Sequence, residues 1–140
     1  MKRSASAVWK GGFKDGGGSV STGSGVLSNV PYNAAMRFEN EKGTNPEELV
    51  AAAHASCFSM ALSLFLGNAG MTPTSIETTA TVTLEQVGGG FGVTSSHLET
   101  TVTIPNADRA AFERVAEEAK SGCPISKLLN TKITLDAKLA

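Results

Sequence analysis

Two cysteine thiols are the residues of this chain that could do the most chemistry. Cys57 lies within the most apolar stretch, residues 43–66, and Cys123 begins a Cys-Pro dipeptide. In a reducing compartment, two thiols can form a transient or catalytic disulfide, and they are too few for a structural zinc site. Neither His54 nor His97 stands at a familiar zinc-ligand spacing from them. We therefore expect no metal and no other cofactor.

The thiolate is the reactive form of cysteine. The local sequence predicts different tendencies of the two thiols to ionise. Cys57 falls in the middle of an apolar helix, which should raise its pKa unless tertiary or quaternary structure supplies a cation. Cys123 stands at the start of a helix, where free N–H groups and the helix dipole favour a thiolate. Local electrostatics alone therefore favour Cys123 as the nucleophile. Two unreactive core thiols are an open alternative.

One histidine lies close enough to a cysteine to be considered as its base. His54 precedes Cys57 by three residues, which places it on a neighbouring face of the same helix. The favoured interpretation is nevertheless a histidine whose hydrogen bonds are satisfied within the core.

The apolar stretch predicts a long central helix. Asn45 is a good N-cap, Pro46 suits the first helical position, and Glu47 and Glu48 add negative charge at the positive end of the helix dipole. No polar stripe is wide enough to face water, so we expect this helix to be buried on all sides. A chain of 140 residues has few other elements to cover it, which predicts a second copy as the cover. His54 and three serines interrupt the run, which argues against a membrane span.

Composition limits the partners of the protein. The net charge of −1, from 12 basic and 13 acidic residues, gives no electrostatic footprint for nucleic acid or an anionic membrane. Lys2 and Arg3 are not followed by an apolar segment, so no secretory signal is expected and the cytoplasm is the predicted compartment. The length predicts one domain, residues 1–140.

The remaining periodicity predicts the order βββ-α-ββ-αα-β and an α+β fold with mainly antiparallel strands. Arg37 falls near the end of the third predicted strand, and Ser28-Asn29 is the predicted connection before that strand. The predicted strands include residues 4–12, 20–27, 30–38, 75–87 and 132–139.

Turns and caps complete these predictions. Gly67 is the expected left-handed residue at the end of the central helix. A second strand follows Gly88-Gly89-Gly90, and its change of parity at residues 95–97 predicts a bulge. Asn106 should cap an amphipathic helix over residues 107–120. The buried face of that helix should be Phe112, Val115, Ala116 and Ala119.

Several segments carry a resemblance to a known family. They are E-N-E-K-G-T-N-P-E-E-L-V-A-A-A-H-A-S-C-F-S-M-A-L-S, A-K-S-G-C-P-I-S-K-L-L and the terminal I-T-L-D. The chain resembles, over nearly its whole length, the osmotically inducible protein C (OsmC) family and its sister group, the organic hydroperoxide resistance proteins. The resemblance implies an intertwined homodimer, in which two long central helices pack between sheets to which both subunits contribute.

The resemblance also implies an activity and a role for four residues. The activity is a cysteine-based peroxidase that reduces organic hydroperoxides and hydrogen peroxide and is regenerated by a dithiol reductant. The family's peroxidatic cysteine maps onto Cys57 and its resolving cysteine onto Cys123. Its essential arginine maps onto Arg37, and the glutamate that pairs with this arginine maps onto Glu47. Arg37 would then supply the cation that Cys57 lacks.

Spacing adds a constraint on this site. Ten helical residues rise about 15 Å, so Glu47 and Cys57 of one straight helix cannot share a site. Either the helix breaks near residues 51–53 or Arg37 and Glu47 of the partner subunit complete the site, and we prefer the second explanation. Two other functions are open: a non-enzymatic thiol redox sensor, and a stress-induced binding dimer with structural cysteines.

Overall fold

The computed structural model describes all residues from Met1 to Ala140, and they form two compact units, Met1–Leu49 and Val50–Ala140. The prediction of one domain stays a prediction. The elements in chain order are β1 (Ala5–Lys10), β2 (Gly17–Thr22), β3 (Val30–Tyr32), α1 (Ala34–Phe38), α2 (Pro46–Asn68), β4 (Ser75–Val87), β5 (Gly90–Thr103), α3 (Arg109–Gly122), α4 (Pro124–Leu128) and β6 (Lys132–Leu139).

The first unit contains a three-stranded antiparallel sheet in the order β1-β2-β3. The predicted third strand over residues 30–38 is wrong beyond Tyr32, because Asn33 ends the strand and caps α1. The Asn33 Oδ1 accepts a 2.7 Å hydrogen bond from the Met36 N–H, and the alanines that follow favour a helix. Arg37 therefore lies in a short helix and not in a strand.

The second predicted strand, over residues 20–27, is also wrong at its end. β2 stops at Thr22, where the N–H of Thr22 bonds to the Leu27 carbonyl at 2.9 Å across a turn. Gly25 adopts a φ of 77° in that turn, and Asn29 a φ of 51°, and such left-handed residues interrupt a strand. The loop over residues 23–29 thus replaces the predicted two-residue connection at Ser28-Asn29.

The second unit contains a sheet in the order β4-β5-β6. β4 and β5 form an antiparallel hairpin whose turn residues, Gly88 and Gly89, have φ values of 55° and 84°. Pairing passes from Thr83↔Ser95 to Leu84↔Val93, so the bulge residue is Thr94, one residue before the predicted position. β6 pairs with β5 in parallel, because α3 and α4 carry the chain back across the sheet. The α+β prediction with mainly antiparallel strands is confirmed.

The core of the second unit lies between this sheet and its helices. The predicted buried face of α3 is confirmed, although its N-cap is Asp108 and not Asn106, which has a left-handed φ of 57°. The buried apolar residues are Phe58, Leu62 and Leu66 of α2, Leu98 and Val102 of β5, Ile104, the four residues Phe112, Val115, Ala116 and Ala119 of α3, and Cys123.

The ends of α2 are set by local chemistry. Asn45 caps its start as predicted, since the Asn45 Oδ1 accepts a 2.9 Å hydrogen bond from the Glu48 N–H. At the other end the left-handed glycine is Gly70, with a φ of 77°, and not Gly67. The Met71 N–H bonds to the Leu66 carbonyl at 2.9 Å, and the Gly70 N–H bonds to the Gly67 carbonyl at 3.0 Å. These are the two bonds of a Schellman motif, which places its glycine three residues beyond Gly67.

The expected burial of α2 on all sides is wrong for the single chain. One stripe, at four-residue spacing, is buried: His54, Phe58, Leu62 and Leu66. The opposite side is exposed and includes Met60 at 76% and Leu64 at 63%. By length and composition α2 could also cross a membrane, but this test is passed equally by core helices of soluble proteins.

Candidate active site

The two thiols lie together in the second unit. Cys57 is half-buried on α2, and Cys123 is fully buried between α3 and α4. Both are free thiols, and they lie close enough together for Cys123 to raise the pKa of the Cys57 thiol. The fold therefore brings Cys57 and Cys123, which are 66 residues apart in the chain, close enough to influence each other.

Local structure at the helix junction explains the position of Cys123. Its N–H bonds to the Ala119 carbonyl at 2.9 Å, so it is the last residue held by α3. Its own backbone is extended, with φ −60° and ψ 123°, and Pro124 then starts α4. Proline disfavours the helical conformation of the residue before it, which is why the chain turns at Cys123.

Gly122 is needed at this junction because an aromatic ring of α2 packs against it. A Cβ atom placed on Gly122 would lie 2.8 Å from the Phe65 Cζ and 3.0 Å from its Cε2. We expect Gly122→Ala to lower the free energy of unfolding by about 1–3 kcal/mol, because the ring has to move. Urea unfolding measures the loss. A matched control is Gly90→Ala, whose Cβ would meet nothing within 4 Å, and equal stability of the two variants would contradict the packing explanation.

The surroundings of Cys57 oppose its ionisation within the single chain. Burial raises the pKa of the Cys57 thiol above its ordinary value, and the neighbouring Cys123 raises it further. A hydrogen bond from the backbone N–H of Ile125 acts in the opposite direction and lowers this pKa. None of these three influences is a cation. The predicted rise in the pKa of Cys57 is confirmed.

The start of α4 acts on Cys57. Ile125 is the second residue of α4, and a hydrogen bond from its backbone N–H lowers the pKa of the Cys57 thiol. The Ser126 Oγ of α4 lies 2.8 Å from the His54 Nε2 of α2, which holds α4 close to Cys57. That local electrostatics favour Cys123 as the nucleophile stays a prediction.

His54 is a buried histidine with both ring nitrogens satisfied. Its Nδ1 is 2.6 Å from the Ser96 Oγ, and its Nε2 is 2.8 Å from the Ser126 Oγ. Burial lowers its pKa below the ordinary value, which favours the neutral ring at pH 7. The interpretation as a histidine whose hydrogen bonds are satisfied within the core is confirmed.

Arg37 and Glu47 form a bidentate ion pair within the first unit. The Arg37 Nη2 lies 2.6 Å from the Glu47 Oε1, and the Arg37 Nε lies 3.0 Å from the Glu47 Oε2. The hydrogen bonds to Glu47 raise the pKa of the Arg37 guanidinium. The guanidinium carbon also lies 5.2 Å from the centroid of the Phe38 ring. A planar pair of this kind fixes the direction of the guanidinium, and the Arg37 side chain is 34% exposed.

Three residues that act on Cys57 or on His54 were not predicted from the sequence. Ile125 acts through its backbone N–H, for which the side chain gives no signal. Ser126 gave none either. Ser96 did give one, because it occupies the same strand parity as the buried Leu98, where a polar group requires a partner.

Two neighbouring free thiols on an α+β scaffold define a dithiol protein. Comparison with known proteins specifies the class further. The sequence model of the family described as "OsmC-like protein" matches residues 39–138. The chain belongs to this OsmC-like family, which confirms the family predicted from the sequence.

Individual relatives agree with this assignment. The chain is 54% identical over 139 residues, covering 99% of it and 97% of the relative, to a protein named Peroxiredoxin OsmC from Escherichia coli strain K12. It is 30% identical over 99 residues, covering 70% and 68%, to an Organic hydroperoxide resistance protein from Xanthomonas axonopodis pv. citri.

A solved structure supports the fold. The crystal structure of the Organic Hydroperoxide Resistance Protein OhrB of Bacillus subtilis matches with a TM-score of 0.69 at 27% identity, over 98% of each chain. The OsmC-like fold class predicted from the sequence is therefore confirmed.

Proposed function

We propose that this protein is a cysteine-based peroxidase that reduces organic hydroperoxides, and also hydrogen peroxide, with Cys57 as the peroxidatic and Cys123 as the resolving cysteine. The proximity of these two free thiols, close enough for Cys123 to raise the pKa of Cys57, is the observation that carries the proposal. The names of the relatives, a peroxiredoxin and an organic hydroperoxide resistance protein, support the same chemistry. Cys57 is the half-buried member of the pair, so it is the one a substrate reaches first.

The proposed cycle has three steps. The Cys57 thiolate attacks the terminal oxygen of the hydroperoxide, the O–O bond breaks, and the leaving alkoxide takes up a proton to give an alcohol. The sulfur is oxidised by two electrons to a sulfenic acid. The Cys123 sulfur then attacks the Cys57 sulfur, the S–O bond breaks, and water leaves with the proton of the second thiol. A dithiol reductant finally regenerates both thiols by exchange and becomes a disulfide itself.

The Arg37–Glu47 pair is the proposed source of the missing positive charge. A guanidinium near the Cys57 sulfur favours the thiolate, and it can also stabilise negative charge on the leaving oxygen. The bidentate hydrogen bonds from Arg37 to Glu47 hold the guanidinium in one orientation for both tasks.

We assign this pair to the partner subunit. α2 continues without a break from Pro46 to Asn68, which supports completion of the site by the partner over a helix broken near residues 51–53. The partner subunit's Arg37 and the partner subunit's Glu47 would then complete the site around Cys57. Ionisation of Cys57 would depend on assembly of the dimer.

The exposed side of α2 supports a homodimer. A stripe of small and apolar residues, Ala53, Ser56, Met60, Leu64 and Gly67, runs along the helix opposite its buried stripe. Contact of this stripe with the same stripe of a second copy would bury it, and small residues allow two helices to approach closely. The proposed assembly is a homodimer of soluble subunits in the cytoplasm, which binds neither nucleic acid nor a membrane.

Mass spectrometry after one equivalent of an organic hydroperoxide tests the two cysteine roles. We expect a disulfide between Cys57 and Cys123 of one chain, together with one equivalent of alcohol. In Cys123→Ser the same treatment should leave a sulfenic acid on Cys57, which dimedone traps. A linkage between two chains, or oxidation of Cys123 before Cys57, would contradict the assignment. Repeated turnover of hydroperoxide in the presence of a dithiol would distinguish an enzyme from a non-enzymatic redox sensor.

A further inference from the structure

We propose that His54 is a positioning residue for the peroxidase cycle: through Ser126 it holds the start of α4 so that the Ile125 N–H and Cys123 both remain in contact with Cys57. This inference rests on the proposed function, because it concerns the steps in which Cys57 is ionised and then resolved. It is argued from contacts within the second unit alone.

The hydrogen bonds of His54 join three elements. The histidine belongs to α2, three residues before Cys57. Its Nδ1 is held by Ser96 of β5 at 2.6 Å, and its Nε2 by Ser126 of α4 at 2.8 Å. The ring is fully buried. A sheet strand therefore fixes the ring, and the ring in turn fixes α4 relative to the turn of α2 that carries Cys57.

α4 needs such an external attachment. It has five residues, and a helix of this length is not stable by itself. Three of its residues, Pro124, Lys127 and Leu128, are exposed, and Leu128 is 73% exposed. Only Ile125 and Ser126 face inwards. Ile125 packs against the core, and Ser126 makes the side-chain hydrogen bond that joins α4 to α2.

Two groups that act on Cys57 precede Ser126 closely in the chain. The N–H of Ile125, directly before Ser126, lowers the pKa of the Cys57 thiol by hydrogen bonding, and Cys123, the residue before α4, raises it. A rotation of α4 would move the Ile125 N–H, and it would also displace Cys123, whose carbonyl accepts a 3.1 Å hydrogen bond from the Lys127 N–H of α4. The hydrogen bond from Ile125 stabilises negative charge on sulfur, and contact with Cys123 sets the distance over which the disulfide closes.

Ser126→Ala is the direct test, since it removes one hydroxyl and leaves His54 in place. We expect disulfide closure after oxidation of Cys57 to slow by about tenfold, as loss of a positioning contact typically produces. Stopped-flow fluorescence or rapid quenching measures closure, and dimedone labelling of Cys57 sulfenic acid should increase correspondingly. In the Cys123→Ser background, the pH profile of Cys57 alkylation should shift to higher pH, because the Ile125 hydrogen bond is weakened.

A matched control and a conservative variant separate positioning from general stability. Ser59→Ala also removes a half-buried hydroxyl. The Ser59 hydroxyl donates a 2.8 Å hydrogen bond to Thr78 of β4, and this bond does not involve α4. It should leave closure and the alkylation profile unchanged even if it lowers the melting temperature. Ser126→Thr retains a hydroxyl and should restore closure to near the wild-type rate.

The result that would overturn the inference is equal behaviour of Ser126→Ala and Ser59→Ala in both measurements. His54→Gln provides a second test, since the Gln amide can still reach Ser126 and should lose less than His54→Ala. The alkylation profile requires no peroxide. If the protein did not reduce peroxides at all, closure could not be measured, but a shifted profile would still support the positioning role.

Discussion

Cys57→Ser is expected to abolish hydroperoxide reduction, with a loss of about four orders of magnitude or more in turnover. Sulfur is the only atom at this position that can be oxidised by two electrons, and a serine hydroxyl neither ionises near pH 7 nor attacks an O–O bond. A coupled assay that follows consumption of the dithiol in the presence of tert-butyl hydroperoxide or cumene hydroperoxide measures the loss. Retained function in Cys57→Ser would instead favour a binding dimer with structural cysteines.

Cys123→Ser is the matched control for this prediction, because it removes the other thiol of the same contact. We expect it to reduce one equivalent of hydroperoxide at nearly the wild-type rate, since Cys57 is still present. Later turnovers should be lost or slow, because the sulfenic acid has no second thiol with which to condense. If Cys123→Ser lost the first turnover as completely as Cys57→Ser does, the two assigned roles would be wrong.

Arg37→Ala should produce the second-largest effect, a decrease of about 10²- to 10³-fold in the rate constant of the peroxide step at pH 7. Burial and Cys123 raise the pKa of Cys57 in the single chain, and the guanidinium is the charge proposed to offset them. Without it, the fraction of thiolate at pH 7 falls. The reaction should then accelerate about tenfold per pH unit up to the new, higher pKa. Alkylation of Cys57 by iodoacetamide as a function of pH measures this shift.

Glu47→Gln separates the charge of Arg37 from its orientation. The amide can still accept hydrogen bonds from the guanidinium, but the charge-assisted bidentate pair, with distances of 2.6 and 3.0 Å, is lost. We expect a smaller decrease than for Arg37→Ala, in the range of about 10-fold. An alkylation profile that is unchanged in Arg37→Ala would contradict the role of Arg37, whatever Glu47→Gln does.

Elements governed by short-range patterns were predictable from the sequence. The strict alternation of residues 75–87 gave β4 its observed bounds, Ser75–Val87, and Asn45 with Pro46 gave the start of α2. The helix at Arg37 was missed because Asn33 is compatible with both a strand and a cap, and only the pairing of β3 decides between them. The parallel pairing of β5 and β6 is likewise set by the long crossover through α3 and α4, which has no local signature.

Within the site, the two cysteines could be predicted, but the hydrogen bonds around them could not. The resemblance to the family predicted Cys57 and Cys123 as the two site cysteines, and the structure brings these two thiols close enough for Cys123 to raise the pKa of Cys57. Neither pattern nor resemblance indicated the hydrogen bond from Ile125, because a backbone N–H carries no side-chain identity. The partners of His54 were hidden for a related reason. Ser96 and Ser126 lie 42 and 72 residues away from it, and only the folded chain brings them together.

Mixed dimers test the central claim, that the guanidinium beside Cys57 comes from the other subunit. One subunit carries Cys57→Ser and the other Arg37→Ala, and two affinity tags isolate the mixed dimer from both homodimers. If the site is completed across the dimer, the remaining Cys57 faces an intact Arg37, and the mixed dimer should show about half of the wild-type activity. If Arg37 acts within its own chain, the mixed dimer should be as inactive as the two homodimers, and that result would contradict the account.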